Sequence, residues 1–369
     1  MVKQAAAAVS FLLAMACALV QPRPAPPLEG NPFPAEVAGS LELPGRAGFA
    51  LAGPGNKVFL ILDGGDLLCL DAAGKSVLWT YRTGSPVELA PGLGASHVYL
   101  CDRENVLHAV GFDGAVVFRR TIGEEITSSP VESGGRVYLG TGGSLRALDA
   151  ENGGEPLWDC PVGAAVRSAP VFSGDRIFFG DESGTLRRLD LNGTALWSFE
   201  ARGRILVSPA ASNKRVFFGT EERFFYCLDA ARGRKKWSFK LDGGPVESPL
   251  VQGKRVVFPA TNSVVYCLSG RRGEILWWTP IPSRLPYPPV ISGEVALVSS
   301  ASSEIKALDL ETGRDVGRVN VSGEVSAGVL WKPPFLVVVA RDPVRAVDRV
   351  LFLERTSAAG LETFPPKRR

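Results

Sequence analysis

The sequence predicts an all-β fold, an eight-bladed β-propeller of four-stranded antiparallel blades, on three observations. An aromatic residue recurs at Trp79, Phe118, Trp158, Trp197, Trp237 and Trp277, at spacings of 39, 40, 39, 40 and 40 residues. A Leu-Asp corner gives Asp71, Asp149, Asp190, Asp229 and Asp309, with Gly111 and Ser269 in the two remaining registers. Between these marks lie short β-branched or alternating runs, four to a unit, separated by Gly, Asn, Asp or Ser turns, which is the pattern of antiparallel strands A to D. One such unit cannot bury its own faces, but units stacked radially can. The first duty of Trp79, Trp158, Trp197, Trp237 and Trp277 is therefore to dock one blade on the next.

The elements follow in chain order. Residues 1–17 carry one lysine ahead of an apolar run from Ala5 to Ala16. That run is too short to span a bilayer and has the size of a signal-peptide core. Ala14-Met15-Ala16 reads as a cleavage site releasing a soluble exported protein. The favoured reading is that Leu13-Ala14-Met15-Ala16-Cys17 resembles a lipobox, with Cys17 as the lipidated residue, although Leu13 sits one place early and Met15 is bulky. Residues 18–36 form a Pro-rich tether, with six prolines between Gln21 and Pro34, a composition that is extended and unpacked.

The propeller is expected over 37–354 and a C-terminal tail over 355–369. Strand A of the first unit is Gly48–Leu51, and a serine-proline element before later A strands falls at Pro86, Pro130, Pro170, Pro209, Pro249 and Pro289. Seven units run to about Glu324. A degenerate eighth has strands at Ser326–Val329, Phe335–Ala340 and Val347–Leu353, and no fourth of its own. Val37–Leu43 precedes the first unit where a D strand belongs, so it completes the last blade and removes an open edge. Seven blades is the alternative.

Composition narrows function. The chain has 41 basic and 38 acidic residues, a net charge of +3 and 45% hydrophobic residues, which excludes a disordered acidic chain and a dedicated polyphosphate binder. Gly 41 and Pro 28 fit a turn-rich body. Six cysteines and two histidines leave little for metal or His-based chemistry. His97 and His108 read as ordinary surface or strand residues. Gly134-Gly135 and Gly142-Gly143 fall in hairpin turns, and a phosphate loop would need a following helix.

The run Cys227-Leu228-Asp229-Ala230-Ala231-Arg232-Gly233-Arg234-Lys235-Lys236-Trp237 resembles the repeat of the quinoprotein-like propeller family, Ala-x-Asp-x-x-x-Gly-x-x-x-Trp. Cys267 to Trp277 is similar, and Ala307 to Gly317 matches except that Gly317 replaces the tryptophan. One branch of that family comprises PQQ-dependent alcohol and sugar dehydrogenases. The other comprises non-enzymatic, BamB-like outer-membrane assembly lipoproteins with eight blades. The first branch implies a quinone between a flat tryptophan and, in many members, a disulfide of adjacent cysteines, beside a calcium ion. No two cysteines adjoin here. Cys69, Cys227 and Cys267 share one repeat position with Ala109, Ala147, Arg188 and Ala307, where small or apolar residues dominate, and read as small buried hydrophobes, with Cys101 and Cys160 as further strand residues. No catalytic residue, cofactor or metal is expected.

Two surfaces remain as candidates. A basic residue opens strand B at Lys57, Arg136, Arg176, Arg215 and Arg255. Antiparallel pairing puts the first four opposite Asp71, Asp149, Asp190 and Asp229, which predicts self-neutralised pairs. Arg255 faces Ser269 instead. With Arg232, Arg234, Lys235, Arg271 and Arg272 it forms a basic patch suited to an acidic partner or lipid headgroups, or else a solvated rim. On the opposite face the D–A loops vary most. In the BamB-like branch such loops contact the barrel-folding partner, which selects Glu125, Arg167, Arg204, Glu247 and Tyr287, although none matches a family motif residue by residue. The expectation is an exported, lipid-anchored, monomeric protein-binding scaffold in outer-membrane β-barrel assembly, periplasmic and held at the outer membrane, with no nucleic acid. The alternatives are a PQQ-dependent dehydrogenase-like enzyme and a surface-exposed adhesin or carbohydrate binder.

Overall fold

The computed structural model describes residues 31–212 and 214–356. The expected signal segment with Cys17, most of the tether and the tail beyond Thr356 lie outside the described residues. The strands form eight four-stranded antiparallel sheets arranged in a ring, so the alternative of seven blades is set aside. Blade 1 consists of Ala47–Ala52, Lys57–Leu62, Leu67–Asp71 and Ser76–Tyr81, named A to D. Six further blades repeat that order, and the A strands of neighbours approach one another at the centre.

Blade 8 takes Glu324–Lys332, Phe335–Arg341 and Asp348–Arg355 from the end of the chain and Ala35–Glu42 from its beginning. Val37 pairs with Leu353 and Ser40 with Leu351, so the N-terminal strand is the missing strand D. Asp348, fully buried, fastens this seam: its carboxylate accepts the Ala47 amide at 2.8 Å and the Ser326 hydroxyl at 3.1 Å, and pairs with Arg341 at 2.8 Å.

Strands B are almost wholly apolar and buried, and strands C are mostly so, with His108, Arg146, Arg187, Arg188 and Lys306 among the ionisable exceptions. Among the described residues the core is not one mass but eight clusters, one at each blade junction. Tyr138, Leu145 and Ala147 of blade 3, for example, meet Ile177, Phe179 and Leu189 of blade 4. At the rim of five of these junctions stands the recurring tryptophan. Trp79, Trp158, Trp197 and Trp277 donate Nε1–H to a carbonyl in the next blade's C–D turn, at 3.2, 3.0, 3.4 and 3.1 Å. Trp237 makes no such bond.

The indole also covers the glycine of that turn. Gly114, Gly193, Gly233, Gly273 and Gly313 have φ between 68° and 89°, and a Cβ at any of them would lie 2.6–2.8 Å from the facing indole. Both the left-handed backbone and the contact exclude a side chain. The repeat's glycine and tryptophan are thus two halves of one contact, made between blades and not within one.

Two boundaries differ from expectation. Gly317 holds the tryptophan register in blade 7, and the space is filled by Phe33, which lies 2.7 Å from where a Gly317 Cβ would be and is 5% exposed. Asn31 secures it, donating to the Val316 carbonyl at 3.2 Å. The last tether residues, Asn31 to Phe33, are therefore packed, and the body begins before Val37. Second, Pro91 and not Pro86 is the counterpart of Pro130. Gly92 pairs with Tyr99 as Val131 pairs with Tyr138, and the Ser85-Pro86 dipeptide falls earlier in the loop.

The junction contact is testable. Replacing Trp277, which is 7% exposed, by Ala should lower the unfolding free energy by about 3–5 kcal/mol in urea denaturation. Lys235→Ala, exposed on the outer strand D, should change it by less than about 0.5 kcal/mol.

Candidate functional site

The ring has two faces. One carries the D–A loops and the B–C turns. The loops entering blades 2 to 7 are each tied to the B–C turn of the blade they enter by a backbone bond in one register: Arg103, Gly142, Glu182, Glu221, Thr261 and Ala301 donate to Pro86, Glu125, Ala165, Arg204, Gly244 and Arg284, at 2.8–3.1 Å. Side chains add a second tie. Arg204 grips Glu221 with two bonds of 2.7 and 2.6 Å, Arg202 meets Glu222 at 3.0 Å, and Arg167 pairs with Glu182 and Glu88 with Arg103. Such exposed pairs contribute little stability, but they hold charged groups in fixed positions.

Glu125, Arg167 and Arg204 are exposed on this face. Glu125 and Arg167 line a cleft of about 200 Å³ that also takes in Glu88, Asp102 and Arg103. Arg204 lies one loop further on. Glu247 and Tyr287 are only half-exposed, and the Tyr287 hydroxyl donates to the Val325 carbonyl of blade 8 at 3.0 Å. The five residues fall in three registers of the loop, so they share a face but not one spot.

Glu247 has an explicable environment. In blades 3 and 4 its register holds Ser128 and Ser168, whose hydroxyls accept the Gly140 and Gly180 amides at 2.8 and 2.7 Å. In blade 6 the corresponding strand B residue is Pro259, which has no N–H to offer. Burial pushes the Glu247 carboxyl up from its ordinary 4.5 to about 7, opposed only by the Ser248 amide.

The other face carries the A–B and C–D turns. The expected register is present, with Lys57 opposite Asp71, Arg136 opposite Asp149 and Arg215 opposite Asp229. Arg136 and Arg215 do not use their guanidiniums in direct ion pairs with these aspartates. Each corner aspartate caps its own turn: Asp71, Asp149, Asp190, Asp229 and Asp309 accept the amide two residues on, at 2.8–3.1 Å. The arginines reach across the junction. Arg136 donates to the Leu191 carbonyl of blade 4, and Arg215 to the Gly270 and Arg271 carbonyls of blade 6, the latter at 2.7 Å.

The basic patch divides. Arg255 does face Ser269, yet it lies 3.8 Å from Glu311 of blade 7, and Arg272 lies 3.6 Å from Glu274. Arg232, Arg234 and Lys235 are exposed on the C–D turn and strand D of blade 5. Arg255 and Arg271 share a groove with Lys214, Arg215 and Lys254. Sequence reading missed Lys214 and Lys254, although two bases in successive A–B turns are a visible signal.

The remaining chemistry-bearing residues are structural. Cys69, Cys101, Cys227 and Cys267 are buried, and burial pushes the thiols of Cys69, Cys227 and Cys267 up to about 11, 12 and 12. His108 is a buried strand residue rather than a surface one. Tyr81 meets its Nδ1 at 2.8 Å, Asp102 its Nε2 at 3.0 Å, and Arg119 donates to the Tyr81 hydroxyl at 2.9 Å. Arg187 and Asp181 hold the same positions in blade 4 as an ion pair. The chain has no adjacent cysteines, and no group of three or more His, Cys, Asp or Glu suited to a metal occurs among the described residues.

Fold and faces together define a quinoprotein-like eight-bladed propeller whose distinguishing groups are charged loops. Comparison with known families assigns it further: the family described as outer membrane protein assembly factor BamB matches residues 35–115, 88–153, 104–213 and 201–360, and the chain belongs to that family. Comparison with curated proteins finds no match. Among solved structures, BamB from Moraxella catarrhalis is similar at a TM-score of 0.72 and 18% identity, over 86% of this chain and 99% of that one. The computationally designed Ika8 protein gives 0.69 and 18%, over 84% and 97%. The quinohemoprotein alcohol dehydrogenase ADHIIG from Pseudomonas putida HK5 gives 0.72 and 12%, over 91% and 78%. At these identities the structures show a shared fold.

Glu247 supplies the test of this face. Its folded-state pKa is raised, so its contribution to stability is fully present below about pH 4.5 and is lost as pH rises through about 7. Glu247→Gln should be more stable than the parent by on the order of 1–2 kcal/mol near pH 8.5 and nearly equal to it near pH 5, read by chemical denaturation at both pH values.

Proposed function

We propose that this protein is an exported, lipid-anchored, monomeric scaffold that binds a protein component of outer-membrane β-barrel assembly, and that it catalyses no reaction. The observation that carries this reading is the family match along 35–360, nearly the whole propeller. The D–A loop face supplies the means. Its loops are fixed by backbone bonds to the adjacent turns, so little conformational entropy remains to be lost on binding. Arg167, Arg204 and Glu125 project from that fixed frame, and charges so held act chiefly on encounter rate and register. Cys17 would anchor the disc to a membrane, with the Pro-rich segment before Asn31 as spacer.

The test is co-purification of the tagged full chain from detergent extracts. The Arg167→Glu, Arg204→Glu double variant should lower recovery of barrel-assembly components by about tenfold, a little over 1 kcal/mol. Cys17→Ala should move the protein to the soluble fraction. Unchanged recovery with the double variant would overturn the assignment of this face, and a membrane-bound Cys17→Ala variant the assignment of the anchor. Because dehydrogenases share the fold, the same preparation should be incubated with PQQ and calcium; neither saturable absorbance change nor dye reduction is expected.

A further inference from the structure

Between blades 5 and 6, on the face opposite the D–A loops, lies a groove of about 550 Å³. Its floor includes Phe217 and Val251, and its walls carry Lys214, Arg215, Lys254, Arg255 and Arg271. Among the described residues no acidic residue lines it. The nearby acids are already engaged. Asp229, opposite Arg215, accepts the Ala231 and Arg232 amides and pairs with Lys236 at 3.2 Å, and Glu311 stands 3.8 Å from Arg255 on the blade 7 side. Lys214, Lys254 and Arg271 are exposed and make no ion pair among the described residues. Nε of Arg255 is buried and has no hydrogen-bond partner there. Arg215 is immobilised by its bonds to the blade 6 turn.

We propose that this groove binds an acidic peptide segment of a partner protein, one that sets an apolar side chain beside its carboxylates. Five cations converging on a concave apolar floor match such a segment in both respects, and the volume falls in the range of about 300–1,000 Å³ usual for binding pockets. Guanidinium groups are suited to forked recognition of carboxylates. A flat bilayer would touch the outer lysines and leave Arg215, Arg255 and the floor unused. This site is on the other face from the loops of the scaffold reading and does not rest on them, so the disc can hold two partners at once.

The probe is a fluorescein-labelled peptide of alternating Glu and Phe, titrated with the full protein and followed by anisotropy. Binding is expected to weaken with salt, and to fall about tenfold or more when Gln replaces Glu, when Ala replaces Phe, or in the Lys214→Glu, Lys254→Glu, Arg271→Glu variant. Arg314→Glu, an exposed base on the blade 7 turn, should leave it unchanged. The single variants Lys214→Glu and Lys254→Glu give a graded loss should the triple variant misfold, as judged by circular dichroism. Equal binding by the triple variant, or an equal loss with Arg314→Glu, overturns the proposal. So does an absence of peptide binding together with groove-dependent sedimentation on phosphatidylglycerol vesicles, which would assign the surface to lipid.

Discussion

The structure depends on one contact, a tryptophan face laid over a glycine in the turn of the next blade. Three parts of the repeat serve it. The corner aspartate holds the C–D turn by accepting its amides. The glycine three or four residues on takes a positive φ and leaves room for an indole, and the tryptophan of the preceding blade fills that room and in most of these contacts donates to a turn carbonyl. None of these parts completes a blade by itself. Each blade therefore presents a turn to one neighbour and an indole to the other, and a chain of such units has no stable end except closure. Where the pattern breaks, the contact is still made by other means. Phe118 faces Gly154 at one junction, and Phe33 enters from outside the repeat at another.

Closure carries a different physical demand. The last blade receives its outer strand from the opposite end of the chain, so its pairing has the longest loop to close and the largest entropic cost. Asp348 is the group that fixes this seam. A buried carboxylate is expensive unless it is fully bonded, and this one is answered by an amide from the first blade, a hydroxyl and a guanidinium. With eight junction clusters in place of a common core, stability spreads around the ring, and the seam matters because it converts an open stack into a closed one.

What the sequence made legible follows from what repeats. Strand order, blade number and the closing role of Val37–Leu43 could be read because the same physical problem is solved in each unit of the chain, and the solutions align. Contacts between units were harder to read. Arg136 and Arg215 were placed correctly opposite Asp149 and Asp229, but their guanidiniums bond to carbonyls of the following blade, a partner that pairing within one blade does not reveal. Phe33 was hidden for the same reason, since its partner Gly317 is distant in sequence and its own surroundings are Pro-rich. Ser85-Pro86 imitated the element that Pro91 supplies. Lys214 and Lys254 became meaningful only once two neighbouring turns were seen to share a groove.

The groove shows how a repeat can acquire a site without altering its architecture. A C–D turn needs a corner residue that receives turn amides, and that residue need not be charged: in blade 2 it is Gly111, whose carbonyl accepts the Gly114 amide at 2.9 Å. Ser269 fills that role in blade 6, with the Arg272 amide 3.4 Å from its hydroxyl and the turn closed by the Gly273 amide on its carbonyl. The exchange of aspartate for serine thus preserves the fold while removing a negative charge opposite Arg255. Lys214 and Lys254 add charge in turns that tolerate any exposed residue. The repeated positions are occupied by blade docking, so binding specificity can develop only at positions that docking leaves free. On one face those are the D–A loops. On the other they are the corner residue, which must receive turn amides but need not carry charge, and the turn residues around it.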